Sequence, residues 1–340
     1  MSKRKLTRKQ SWRIEKVQEE RKARAQKKEA QIAKELRDDA LGPEQSGLII
    51  AHYGAQLDIE PIGKPGDIYR CHLRANLPQL VTGDRIVWRP SLKEDLGVVV
   101  ALEDRGSLLS RPDMYGQIKP VAANINYIVV VIAPVPIPHP NLIDRYLVAA
   151  EAVGIEPVIL LNKTDLLNNP EDKQLLDDML ANYERIGYQV LRASTRTEDG
   201  LNALKTLLDE HISVFVGQSG VGKSSLVNTL LPGVDIKVGA LSETTSKGTH
   251  TTTTAKLFHF PAGGMLIDSP GIREFGLWHM EPEDVIFGFR EFRPFIGYCK
   301  FRDCNHDNEP GCAIRKAIKN GIISEERMNS YRNILRPLER

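Results

Sequence analysis

Apolar and polar positions divide the chain into four stretches of different rhythm. Residues 1–40 are charged almost throughout and contain no Gly or Pro, and apolar residues such as Trp12, Ile14 and Val17 make too narrow a stripe to bury. Helix propensity is high there, so the pattern predicts a solvated charged helix or tail, closed off by "LGPEQSG". Residues 46–106 then run in short segments, "GLIIAH", "AQLDIE", "DIYRCHLR", "GDRIVWRP" and "GVVVAL", separated by Gly, Pro and Asp turns. Five strands in so short a span predict a small OB-type β-barrel. Within "YRCHLR", Tyr69, Cys71 and Leu73 alternate with Arg70, His72 and Arg74, which gives an apolar face, with Cys71 in the core, and a basic face.

The third stretch, 107–278, changes period again. "INYIVVVIA" and "EPVILL" are too uniformly apolar for half-exposed strands and suit parallel strands covered on both faces. They alternate with helical patterns: "DRYLVAAEAVG", "KQLLDDMLANYERIG", "LNALKTLLDEH" and "KSSLVNTLLPG". With "YQVLRAST", "ISVFVG", "AKLFHF" and "GGMLIDSPG" as further strands, the expectation is a doubly wound α/β sheet. The last stretch, 279–340, ends in "AIRKAIKNGIISEERMNSYRNILRPLE", which predicts two helices.

Length and charge refine this division. The 340 residues exceed one ordinary core, in keeping with several domains. Net charge is only +2, but residues 1–37 hold fourteen Lys/Arg against five Glu, so the basic charge sits in the N-terminal arm. Such an arm can order on RNA by displacing counterions from phosphates. No apolar run approaches the roughly 20 residues of a membrane span, and the N-terminus has no apolar signal core. A cytoplasmic, monomeric protein is expected.

The third stretch also carries the chemistry. Gly217, Gln218, Ser219, Gly220, Val221, Gly222, Lys223 and Ser224 fit G-x-x-x-x-G-K-[ST] between an expected strand and an expected helix, with Ser225 following. Backbone N–H groups in such a loop curl around phosphates at a helix N-terminus. Lys223 is expected on the β- and γ-phosphates and Ser224 on Mg²⁺. In "LIDSPG", Asp268 ends a strand and can hold the same Mg²⁺, while the Gly271 N–H can meet the γ-phosphate. One threonine of the run 251–254, here Thr252, can complete the metal shell.

"NKTD" (Asn162, Lys163, Thr164, Asp165) follows a buried strand and so falls on the edge of the sheet where nucleotides bind. The Asp165 carboxylate can accept from N1–H and the 2-amino group of guanine, whereas adenine would leave that charge unpaired. Asn162 can bond the N7 side, Lys163 can cover the base, and "AST" (Ala193, Ser194 and Thr195) can supply backbone N–H contacts to the guanine carbonyl. Base-reading motifs thus precede phosphate-reading ones, the reverse of the usual order: a circular permutation. Ile272 stands where many GTPases place a water-orienting glutamine, so slow intrinsic hydrolysis is expected, with His250 as the candidate to position water. Finally, Cys299, Cys304, His306 and Cys312 fall within 14 residues, a set suited to a closed, structural Zn²⁺ site.

The order N-K-T-D, G-Q-S-G-V-G-K-S-S, T-H-T-T-T, D-S-P-G and C-x4-C-x-H-x5-C behind a small barrel resembles the ribosome small subunit-dependent GTPase A family (RsgA, also called YjeQ) from about residue 40 to 335. The resemblance implies a bacterial cytosolic GTPase that acts late in 30S subunit maturation, binds near the decoding region and is stimulated by the subunit. It further implies 16S rRNA as a partner, guanine contacts at Asn162, Lys163 and Asp165, phosphate contacts over 217–225, zinc on the Cys3His set, and catalysis by His250. "AST" departs from the serine–alanine pair usual in the family. The domain division implied is an arm (1–45), a barrel (46–106), a permuted GTPase domain (107–278) and a zinc-binding helical domain (279–340). Two other readings stay open on the residues alone: an RNA-binding module with GTP as a structural ligand, and a P-loop phosphotransferase.

Overall fold

The computed structural model describes residues 41–54, 56–73, 77–92, 96–112, 117–233, 255–269, 272, 280 and 282–336. The basic arm over residues 1–40 lies outside the described residues. Five strands follow it: β1 (Gln45–His52), β2 (Gln56–Pro61), β3 (Tyr69–Leu73), β4 (Arg85–Pro90) and β5 (Leu96–Leu102). They pair in the order β1-β2-β3-β5-β4, and β4 returns to β1, so the barrel closes and leaves no free edge within it. Ile49, Leu57, Ile59, Cys71, Ile86, Trp88 and Val99 fill the interior. Burial raises the Cys71 thiol pKa well above its ordinary value, which keeps it a neutral core residue. The basic face of β3 is partly neutralised: Arg70 pairs with Asp58 and covers the Tyr53 ring.

A hairpin of β6 (Leu108–Pro112) and β7 (Ile118–Ala123) leads out of the barrel. The hydropathy pattern does not disclose it, because prolines and charged residues interrupt its alternation. Then come β8 (Tyr127–Ile132), α1 (Pro140–Ala152), β9 (Glu156–Leu161), α2 (Pro170–Ile186), β10 (Gln189–Arg192), α3 (Asn202–Leu208), β11 (Ile212–Val216), α4 (Lys223–Leu230), β12 (Lys256–His259) and β13 (Met265–Asp268). Helix α1 begins at Pro140, earlier than its apolar period suggests. A proline suits the first helical turn, and the His139 ring accepts from the Asn141 N–H at 3.2 Å. Asn169 caps α2 in the same manner, and Gly187 ends it.

The sheet order is β10-β9-β8-β11-β13-β12, with all ladders parallel except β12–β13. Alternate residues of β8 explain the uniform apolarity of its segment. Ile128, Val130 and Ile132 pack with Ile143 and Leu147 of α1 on one face. Val129 and Val131 pack with Leu204 of α3 and Leu226 of α4 on the other. Strand β12 also touches β1 at Ala51↔Lys256, so barrel and α/β sheet form one eleven-stranded ladder among the described residues.

Of the C-terminal helices, α5 (Pro282–Phe287), α6 (Ala313–Lys319) and α7 (Glu325–Leu335), the first and last sit against α1, and α6 packs on a 3₁₀ turn at Arg290–Phe295. Val148 of α1 belongs to their core, beside Phe289, Phe292, Ile314 and Met328. Charge also crosses this junction. Arg327, nearly buried, donates to Asp144 and Glu291 and lies 4.4 Å from the Phe289 ring centroid, while Tyr183 donates to Asp144 at 2.7 Å. Arg290 bonds Glu151 and Glu156. Removing one partner of a buried pair strands the other without solvent. Arg327→Ala is therefore expected to destabilise the protein by about 3–5 kcal/mol in chemical denaturation, with early proteolytic release of the C-terminal helices.

Candidate functional site

Strands β9 and β11 flank β8 in parallel and end at the same edge of the sheet, where their following loops meet. After β9, Asn162 is 1% exposed and Lys163 adopts a left-handed conformation with φ 59°. The Asn162 Nδ2 donates to the Val221 carbonyl at 2.9 Å, and Lys163 Nζ donates to the Gly220 carbonyl at 2.7 Å. The base-side motif and the phosphate loop are thus bonded to one another. Their approach is close enough to require glycine at 222: a Cβ there would lie 2.5 Å from Asn162 Nδ2, and φ is +93°.

Residues 217–222 make the turn from β11 into α4, and Lys223 opens that helix. Lys223 Nζ lies over the loop, 2.7 Å from the Gly217 carbonyl and 2.8 Å from that of Gln218. Ser219 is exposed, Ser224 is half-buried and Ser225 is exposed. Such a loop gathers N–H groups and an ammonium at one helix N-terminus, which favours an anion. Asp268 ends β13 opposite Lys256 and next to the strand that feeds the loop. Ile272, 1% exposed, belongs to the sheet core, so its side chain points away from solvent chemistry. Thr252, His250 and Gly271 lie outside the described residues.

Asp165 is held by a group the motif pattern did not assign to it. Ser194 Oγ donates to Asp165 Oδ1 at 2.6 Å and accepts from the Arg196 N–H at 3.1 Å. Of the three backbone N–H groups of "AST", that of Ser194 donates to the Gly200 carbonyl at 3.1 Å. Ser194 therefore reaches the site through its hydroxyl. Thr164 bonds the Ala193 carbonyl through both its N–H and its hydroxyl, each at 3.2 Å, which ties the two loops together. Arg196, 3.8 Å from Asp165 Oδ2, was not foreseen; an exposed loop arginine gives no local signal of where it folds.

The cysteine cluster also assembles. Cys299 Sγ and Cys312 Sγ lie 3.9 Å apart, each is 3.5 Å from His306 Nδ1, and all four ligand atoms fall within 4.8 Å of one another. Metal–sulfur bonds of about 2.3 Å in a tetrahedron give edges of about 3.8 Å, so this set can hold a metal ion. Burial lowers the His306 pKa, favouring the neutral imidazole that ligates. The Glu309 carboxylate accepts from the Asn305 and Asp307 N–H groups at 2.9 and 2.8 Å and orders the loop. Ala313 and Arg315 donate N–H bonds to the sulfurs of Cys299 and Cys312.

A doubly wound sheet whose phosphate loop follows its base-side loop in the chain defines a circularly permuted P-loop nucleotide-binding protein. Comparison with known proteins agrees. The model of the RsgA GTPase family matches residues 102–278. Over 99% of its length the chain is 62% identical to the small ribosomal subunit biogenesis GTPase RsgA of Azotobacter vinelandii. It is 60% identical to that of Ectopseudomonas mendocina, with 98% of each relative covered. The structure of YjeQ from Thermotoga maritima superposes with a TM-score of 0.71 at 30% identity, over 87% of this chain and 99% of that one. YloQ, described as a circularly permuted GTPase, gives a TM-score of 0.69 at 27% identity over 87% and 96%. The chain belongs to the RsgA GTPase family.

The cluster makes a direct prediction. Loading the protein with Co²⁺ should give the intense visible bands of a tetrahedral thiolate site at one equivalent per chain, and Cys304→Ser should weaken Co²⁺ binding by at least about tenfold.

Proposed function

We propose that this protein is a GTPase of small ribosomal subunit biogenesis, hydrolysing GTP to GDP and phosphate while docked on the 30S subunit. One observation carries the reading: Asn162 and Lys163 are bonded to the phosphate-loop carbonyls of Val221 and Gly220, so one purine nucleotide can span both motifs. Asp165, oriented by Ser194, accepts from the guanine N1–H and 2-amino group, and the second amide hydrogen of Asn162 is directed at N7. The loop 217–225 binds the phosphates. Its Lys223 ammonium stabilises the charge that develops as water attacks the γ-phosphorus and the bond to the β-phosphate oxygen breaks. Ser224 and Asp268, with Thr252, would hold Mg²⁺, which would supply neutralisation of the phosphate charge. His250 positions the water and Gly271 meets the γ-phosphate. Buried Ile272 cannot orient water, so slow turnover by the isolated protein is expected.

Zn²⁺ is the metal for the Cys3His set, as a structural staple of the C-terminal helices. The basic arm and the barrel face 16S rRNA, the protein acts as a monomer in the cytoplasm, and GTP hydrolysis triggers release. Among the described residues no helix is long and apolar enough to cross a membrane. Relatives 57–62% identical along the chain carry the name small ribosomal subunit biogenesis GTPase, which supports this role.

Two measurements test it. Asp165→Ala should weaken GDP binding by at least about a hundredfold while leaving the low affinity for ADP unchanged, because charged hydrogen bonds to the base are lost. Purified small subunits should raise GTP turnover at least about tenfold, and sedimentation with them should be stronger with a non-hydrolysable GTP analogue than with GDP. Unchanged turnover in the presence of subunits would remove the assigned role.

A further inference from the structure

We infer that Thr82, a barrel residue, is a positioning residue for the Asp268 end of the nucleotide site. Among the described residues the barrel supplies no group to that site, yet its turn at 81–84 is built against the two segments that flank Asp268. Thr82 is 1% exposed, and its Oγ1 donates to the Ala255 carbonyl at 2.9 Å across 173 residues of sequence. Ala255 immediately precedes β12, whose first residue, Lys256, pairs with Asp268. On the other side, a Cβ added at Gly83 would come within 3.0 Å of Ile267 Cδ1, the residue before Asp268, and 2.2 Å of the Ala123 carbonyl. With φ of +91°, position 83 must be glycine for the turn to fit there.

The turn is braced more firmly than a packing contact requires. Asp84 is fully buried and accepts from the Val81 N–H at 2.8 Å. Arg105 grips both Asp84 oxygens, at 2.7 and 2.8 Å, and also the Gln79 carbonyl. Asn124 donates to the Gly83 carbonyl at 2.8 Å, and the Gly83 N–H is bonded to Ile49. Apolar contact alone would let the two domains slide by fractions of an ångström. An oriented, buried donor on a fixed turn sets the position of the β12 start, and the β12–β13 ladder passes that position to Asp268. The inference rests on the reading that Asp268 holds Mg²⁺ with the nucleotide. It also supplies a route by which a partner seated on the barrel would act on the metal end of the site.

The test uses the full-length protein and the binding of a non-hydrolysable GTP analogue at a series of Mg²⁺ concentrations. Thr82→Val keeps the shape and removes the donor, Thr82→Ser keeps the donor, and Asp268→Asn is the reference. Thr82→Val should raise the Mg²⁺ concentration for half-maximal analogue binding at least about threefold, with GDP affinity in EDTA unchanged and Thr82→Ser close to the parent. A normal Mg²⁺ profile for Thr82→Val beside a shifted one for Asp268→Asn would overturn the inference and leave the function standing. A normal profile for Asp268→Asn would remove the role of Asp268, and the inference with it. Equal losses with and without Mg²⁺ would show a merely structural threonine and would also overturn it. If Thr82→Val does not fold, Asn124→Gly keeps the left-handed backbone, drops the bonds to the Gly83 carbonyl and the Gly106 N–H, and should produce the same Mg²⁺ shift.

Discussion

The meeting of two loops at the carboxyl ends of parallel strands is the constraint on which the rest of this structure depends. Asn162 and Lys163 at the end of β9 are bonded to the carbonyls of Val221 and Gly220 in the phosphate loop after β11. A nearly buried amide can sit there only because Val221 offers it an acceptor, and the loop can come so close only because position 222 has no side chain. Chain order does not enter into this. Strand adjacency determines which loops meet, so a permuted chain arrives at the same arrangement as an unpermuted one.

Permutation does alter what the site is attached to. The barrel comes before the sheet and joins it at the β12 edge, through Ala51↔Lys256 and the bond from Thr82 to Ala255. The chain leaves the sheet after Asp268 and returns as the C-terminal helices on α1, where Arg327, Asp144, Glu291 and Tyr183 form a buried charged network. Such a network favours one docking geometry, because a shifted one would leave a charge desolvated and unpaired. Both attached units thus pack on the α/β sheet or its helices, one at the β12 edge and one on helix α1.

Much of this was legible in the sequence, for identifiable reasons. The barrel strands were visible because turn residues punctuate them, and β8 and β9 because burial on both faces demands an unbroken apolar run. The phosphate loop, "NKTD" and the cysteine spacing were visible because their chemistry depends on residues close in sequence. The hairpin β6–β7 was missed because its prolines and charges hide the alternation. The start of α1 was misplaced because Pro140 and the His139 cap lie outside the apolar period.

By itself, then, the chain specified most of its elements, its sequence motifs and the inverted order of those motifs, since each depends on short-range pattern and local chemistry. Only tertiary structure could decide that Ser194 serves Asp165 through its hydroxyl, that Arg327 bridges two units, and that a barrel turn holds the start of β12. Those contacts join residues 29, 183 and 173 positions apart, and no local pattern encodes which distant partner satisfies a buried polar atom. That choice is made when the packed core removes water and leaves each donor with the nearest acceptor the fold has brought to it.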